Sequence, residues 1–392
     1  MMNVGQMDGG CRGGQGRKRR GGGPAWVASR RDWDHPYVTS LVVPTGIGAS
    51  MGGYAGDAIP VARLLGEVAD LVLTHPNVLN GAQLYWQSPK LLYVEGYALD
   101  QFMRGAWQLD CGHHGNRVGL VFDCAMDEEL MLRHVQVAHA ARATLGLRLG
   151  PFVRTDRPVG VQLRSSAGSS ASWGTIQNPD TLLRASRKLV NDMQCDAIAV
   201  VVNFPDEDED MLESYRSGQG VDPIAGAEAV ISHLLTRELQ VPCAHAPALP
   251  PLPVSAAVNP KACAEELGYT FLPSVLFGLS RAPRIVTSDH SVSSDPLLRS
   301  HDVNSLVLPF GACGGGALLG SMHRAASDND FLLILVEENS SRINVSASDL
   351  GYNGNLAVAK TYLEAAGIVT AHRAGIALES LKPTVPAVTE VR

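Results

Sequence analysis

Residues 41–57 read LVVPTGIGASMGGYAGD, and no other stretch constrains the chain as much. Leu41, Val42 and Val43 have the character of a buried strand end. Gly46, Gly48, Gly52, Gly53 and Gly56 follow within eleven residues. Asp57 is placed to cap a helix beginning near Ala58, with Pro60 in its first turn. A strand, a glycine loop and a helix N-terminus together present backbone N–H groups to an anion. The expectation is an α/β protein whose Thr45, Gly46, Gly48, Gly52 and Gly53 receive a small anionic ligand.

The loop departs from the two familiar phosphate motifs. A dinucleotide fingerprint needs a third glycine where Met51 stands. The next strand ends in Thr74-His75-Pro76, with no carboxylate for a ribose. No G-K-[ST] follows the glycines, so both NAD and a P-loop nucleotide are disfavoured. The identity of any cofactor stays open.

Downstream, apolar runs alternate with amphipathic stretches. Strands are expected at residues 70–74, 91–94, 117–122, 197–202, 241–245, 274–279, 305–309, 331–336 and 368–370. Helices are expected at 57–69, 99–107, 127–145, 181–193, 224–239 and 356–366, by their apolar spacing. Such alternation argues for a largely parallel sheet with helices on both faces. The chain has 392 residues, enough for two Rossmann-like lobes. We place them at residues 37–180, with the glycine loop, and 181–392. Residues 160–178, rich in serine, read as a mobile lid or a linker between the lobes. The acidic run 206–210 reads as a solvated loop rather than a metal site.

The net charge of −7 argues against a general nucleic-acid binder, and no apolar run reaches membrane-spanning length. The seven cysteines are scattered without a C-x-x-C pair, which points to a reducing compartment. Residues 1–36 differ from the rest. They are rich in Gly and Arg, include Arg17-Lys18-Arg19-Arg20, and lack the apolar surface to build a core. They read as a disordered or targeting extension.

Reactive residue types recur at the expected strand ends. His75 and Asn77 follow the second strand, Cys243 and His245 close another, Glu337 follows residues 331–336, and His372 follows 368–370. The sharpest motif is Gly311-Ala312-Cys313-Gly314-Gly315, between a strand and a helix starting near Gly316. It resembles a nucleophile elbow with cysteine in place of serine. A helix N-terminus there lowers a thiol pKa, and Gly314 and Gly315 add anion-binding amides. The order Cys313, Glu337, His372 is that of nucleophile, acid and base in the hydrolase triad. His245 is an alternative base. Cys243 and Cys313 together also suit the acid/base pair of a cofactor-independent racemase. The bland alternative is that Cys313 is a small buried residue in a tight turn. No H-x-x-x-H or H-E-x-x-H spacing fixes a zinc site, so no metal ligand is assigned.

Several segments together carry a family resemblance. PTGIGASMGGYAGDAIPVARLL, LTHPNVLNGAQLYW, LYVEGYALD, ASWGTIQNPD, GQGVDPIAGAEAVISHL, PCAHAPAL, AEELGYTFLPSVLFGLSRAP and ACGGGALL resemble the family catalogued as domain of unknown function 3326. That family occurs in cyanobacteria and plastid-bearing eukaryotes, and the resemblance spans about residues 38–378. It brings no activity and no catalytic residues with it. It does imply that a cyanobacterial type of body follows a plastid transit segment, which places the protein in the plastid stroma rather than the cytoplasm. The leading expectation is a small-molecule enzyme, a hydrolase, lyase or isomerase. A non-catalytic anion- or nucleotide-binding protein and a plastid assembly or scaffold protein are the alternatives. Oligomeric state is not legible.

Overall fold

The first buried apolar run forms β1 (Val38–Leu41), and after α1 (Ile59–Val68) the chain returns beside it as the parallel β2 (Leu71–Thr74). A short α2 (Pro76–Leu79) and β3 (Leu91–Tyr93) add a third parallel strand, and α3 (Gly96–Met103) leads out to β4 (Trp107–Asp110). A second unit begins with β5 (Val118–Phe122), α4 (Glu128–Leu145) and β6 (Leu149–Arg154). It continues through the hairpin β7 (Val161–Ser166) and β8 (Ser169–Ile176), then α5 (Pro179–Arg187) and β9 (Ala197–Asn203). α6 (Glu209–Arg216), α7 (Ala225–Leu239), β10 (Cys243–Ala248), α8 (Cys263–Glu266) and α9 (Phe271–Arg281) follow. β11 (Arg284–Thr287) pairs antiparallel with β4 and carries the chain back. β12 (Val303–Pro309), α10 (Gly316–Ala325), β13 (Leu332–Val336), β14 (Asn355–Ala359) and α11 (Tyr362–Arg373) complete the first unit. The computed structural model describes residues 36–389 except 82, 114, 167–168, 206–208, 250–253, 267–270, 288–296, 327 and 329. The basic extension and most of the acidic run lie outside the described residues.

The larger sheet has six parallel strands in the order β3-β2-β1-β12-β13-β14. Numbered within the sheet this is 3-2-1-4-5-6, the doubly wound order, with its reversal between β1 and β12. Sheets of this kind bind ligands beyond the carboxyl ends of the strands at that reversal. The smaller sheet, β6-β5-β9-β10, is also parallel. Neither sheet divides at residue 180. β1 to β3 pair into the same sheet as β12 to β14, and β5 pairs with β9.

Successive side chains of these strands alternate between two covered faces, as a doubly covered sheet requires. Val72, Val307 and Ile334 face a core shared with Ile59, Leu65 and Val369 of α1 and α11. Leu71, Leu73, Leu306, Leu308, Leu333 and Leu335 face the opposite core, shared with Leu99 and Phe102 of α3 and Leu318 of α10. Helices therefore cover both faces of the larger sheet. Each fully buried leucine stabilises it by roughly 1.5–3 kcal/mol.

Five expectations are corrected. Residues 161–166 and 169–176 pair as the antiparallel strands β7 and β8 instead of an irregular loop, and Val161 shares a buried core with Ala227 of α7. Residues 274–279 lie inside α9: Leu272, Val275, Leu276 and Leu279 repeat at helical spacing, and the helix is buried almost all round, which reads locally as a strand. Residues 356–366 split into β14 and α11, and 368–370 lie inside α11. The helix expected at 99–107 starts earlier, at Gly96, where the Glu95 carboxylate accepts from the backbone N–H of Tyr97 and Ala98.

Candidate functional site

The glycine loop closes on itself and on the far end of the chain. Gly46, Gly48, Gly52 and Gly56 all have positive φ, so L side chains are strained there. The Gly52 N–H donates to Asp57 Oδ1 at 2.6 Å, and the Met51 N–H to Asn339 Oδ1 at 3.0 Å. The Ser50 N–H donates to the Ser340 carbonyl at 2.8 Å. Asn77 donates through Nδ2 to the carbonyls of Gly52, at 2.7 Å, and Val43, at 3.2 Å. Asp57 thus staples the loop and does not cap α1, whose N-cap is Ala58 with no side-chain bond. Burial raises the Asp57 pKa, and the Lys261 ammonium lies 3.5 Å away. The amides of residues 50–52 are spent on the protein's own acceptors.

Beyond the carboxyl ends of β1, β2, β3 and β12 lies a cavity of about 380 Å³. Its opposite wall is built by α7 and β10 of the smaller sheet's unit. Among the expected site residues, Thr45, His75, Asn77, His245 and Gly315 line it; Gly46, Gly48, Gly52, Gly53 and Gly314 do not. His75 is buried and its Nε2 accepts the Val43 N–H at 3.0 Å. Burial, with the charge of His233, pushes its pKa down to about 4.

The cysteine reading is not assembled. Residues 309–316 do join a strand to a helix, but the Cys313 side chain is fully buried in the core shared with α3 and α10. Burial pushes its pKa up to about 11, and its Sγ points to the Phe310 carbonyl at 3.6 Å. His372 sits at the end of α11 and bonds through Nδ1 to the Tyr37 hydroxyl at 2.8 Å. Tyr37 precedes β1, so this contact is at the amino end of the sheet, away from the cavity. Glu337 is exposed beyond β13. Cys243 is buried in the core of the smaller sheet, where burial raises its pKa strongly. Cys243 and Cys313 therefore occupy two separate cores.

What does converge on the cavity was not singled out in the sequence. Glu95 follows β3 and its side chain is 2 % exposed, while His233 on α7 is 45 % exposed. Glu95 Oε1 and His233 Nδ1 form a short hydrogen bond. Burial alone lowers the His233 pKa, but the Glu95 hydrogen bond and the charges of Glu95 and Asp100 outweigh it, and the net direction is up. Asp100, one turn on from Gly96, is pushed up to about 6 by burial, against the pull of His233. Its carboxylate lies against the start of α10, where the backbone N–H of Ala317 counters part of that rise. Both carboxylate and imidazole are fitted closely. A Cβ on Gly96 would lie 2.8 Å from His233 Cε1, and one on Gly316 would lie 2.3 Å from Asp100 Oδ2. A second pair stands nearby on the same wall: His245 Nε2 is 3.3 Å from Glu228 Oε1. Extending the strand-end search to the third strand would have found Glu95. His233 carries no local signal of its own.

The sequence profile of the family described as protein of unknown function (DUF3326) matches residues 38–382. The chain belongs to this family. The DUF3326 span takes in every element that lines the cavity. A DUF3326-like relative, an uncharacterised lipoprotein of the cyanobacterium Synechococcus sp., is 51 % identical over 344 residues, covering 88 % of this chain and 92 % of its own. No solved structure matches. Among the described residues, no helix is long and apolar enough to cross a membrane.

Proposed function

We propose that the cavity is the active site of a small-molecule enzyme that works by general acid–base chemistry, with His233 as the proton-transferring group and Glu95 as its orienting partner. The observation that carries this reading is the asymmetry of the pair. A carboxylate with its side chain 2 % exposed stands behind a cavity-lining imidazole that is 45 % exposed. A buried carboxylate fixes the tautomer of the ring and stabilises its charged form, and the open ring meets the substrate. Glu95 favours the charged ring over the opposing effect of burial, and the Asp100 charge adds to it.

The lining carries the carboxylates Glu95, Asp100, Asp222 and Glu228 against Arg216 and the imidazoles, counted among the described residues. This balance favours a neutral or cationic substrate over the small anion expected from the glycine loop. Asp100 also stands at the N-terminus of α10 and disfavours an anion there. A hydrolase, lyase or isomerase fits, with the proton steps on the chain's own side chains. The Arg-rich extension before a body of cyanobacterial type supports the plastid stroma as the compartment.

The test is conversion of small molecules. The full chain and its His233→Gln variant are incubated with a small-molecule extract and followed by mass spectrometry. The wild type should convert at least one compound, and the variant should do so roughly 100-fold more slowly. Equal conversion by both proteins would remove His233 from the chemistry.

A further inference from the structure

His245 is hydrogen-bonded through Nδ1 to the Ser232 hydroxyl, and the Glu228 carboxylate stands beside its other ring nitrogen. Glu228 Oε1 lies 3.3 Å from Nε2, and Ser232 Oγ lies 2.5 Å from Nδ1. A carboxylate beside Nε2 favours the tautomer with its hydrogen there, through charge rather than an aligned hydrogen bond. In the neutral ring Nδ1 then presents a lone pair, and the Ser232 hydroxyl must donate to it. The alternative acceptor for that hydroxyl, the Glu228 carbonyl, is 3.4 Å away. Glu228 and Ser232 are four apart on α7, so both side chains reach the same strand, β10. All three residues line the cavity. A hydroxyl, an imidazole and a carboxylate stand side by side at a cavity wall. Nucleophile–base–acid sets are recognised by this geometry and not by chain order.

The geometry points to Ser232 as a nucleophile, activated by His245 and Glu228, in the hydrolysis of a small uncharged ester or thioester. This inference rests on the reading of the cavity as a catalytic site. In the first step Ser232 Oγ bonds to the carbonyl carbon and its proton passes to His245 Nδ1. Collapse of the tetrahedral species breaks the bond to the alkoxide or thiolate, which leaves with that proton. Water then attacks the acyl-serine, gives a proton to Nδ1, and releases the carboxylic acid as the proton returns to Oγ. Glu228 holds the imidazolium throughout. His233, the neighbour of Ser232, has Nδ1 committed to Glu95 and offers Nε2–H to the carbonyl oxygen.

A fluorophosphonate probe on the full chain tests this, with peptide mapping by mass spectrometry. The expected result is one adduct, on Ser232, absent after heat unfolding and absent in Ser232→Ala. His245→Gln should slow labelling at least ~100-fold, the usual worth of a general base. Glu228→Gln should slow it about tenfold, with all variants melting as folded proteins. If Ser232→Ala does not fold, Ser232→Cys serves instead: iodoacetamide should alkylate the new thiol faster than Cys124, an exposed thiol. Absence of an adduct on folded wild type overturns the proposal, as does labelling of Ser232 at a rate that His245→Gln leaves unchanged. In either case a His233 that still titrates above its ordinary pKa keeps the acid–base reading, whereas a His233 with an ordinary pKa removes both.

Discussion

Acidification to pH 4 should cost the protein about 3 kcal/mol through His75 alone. The folded pKa is about 4, below the ordinary 6.5, because the ring is buried. Its Nε2 lone pair is also occupied by the Val43 N–H. Below pH 6.5 the unfolded chain takes up a proton that the folded chain refuses. Stability therefore falls as pH falls from 6.5 towards 4, and the penalty levels off below that. A difference of 2.5 pKa units at about 1.36 kcal/mol each sets the ceiling near 3.4 kcal/mol, of which about 3 is reached at pH 4. Other groups also titrate in this range, so the comparison must be with His75→Gln, whose side-chain oxygen can still accept from Val43. Urea midpoints at pH 7 and pH 4 should show the wild type losing about 3 kcal/mol more than the variant. Parallel losses in the two proteins would mean that His75 is not held neutral.

Alanine at Gly226 should destabilise by about 2 kcal/mol or more, against its own helix propensity. Gly226 is the second residue of α7, where Ala would ordinarily stabilise by up to ~1 kcal/mol. A Cβ there would sit 2.4 Å from Trp173 Cα and 2.5 Å from the Ser172 carbonyl oxygen. Both are backbone atoms of β8 and cannot swing aside. The Ser172 N–H also donates to the Gly46 carbonyl at 2.9 Å, so the clash strikes the joint between the hairpin, α7 and the glycine loop. Overpacking of this kind typically costs 1–3 kcal/mol. Gly367 in α11 is the control, because a Cβ there meets nothing within 4 Å. Gly367→Ala should stabilise by roughly 0.5–1 kcal/mol. Denaturation midpoints of the two variants should move in opposite directions, and a shared sign would refute the close backbone contact.

Strand positions in the larger sheet were readable because buried parallel strands are plain apolar runs; β13, LLILV, is buried at every position. The same rule misread α9, since a helix buried almost all round offers no polar stripe to betray its period. Strand order was not readable. Residues between β3 and β12 hold the whole second unit, and local pattern says nothing about which distant strands pair. Residues 309–316 show where a motif stops. The strand–turn–helix geometry was encoded locally, but the direction of the Cys313 thiol was set by packing against α3 and α10. The strand-end rule reached His75, beside Pro76 after β2, but the strand expected at 241–245 runs Cys243–Ala248, so His245 lies inside β10 and not at its end. Glu95 and His233 escaped it: they are 138 residues apart, and only the docking of α3 against α7 brings them together.

The proposed site requires that a buried Glu95 hold His233 in its charged form at the cavity. Histidine-labelled protein titrated by NMR measures this directly, with Glu95→Gln as the comparison. The account predicts that His233 titrates above its ordinary 6.5 in the wild type and drops in Glu95→Gln, where the charge and the strong hydrogen bond are gone. A wild-type His233 that titrates at or below 6.5, with no response to Glu95→Gln, would contradict it.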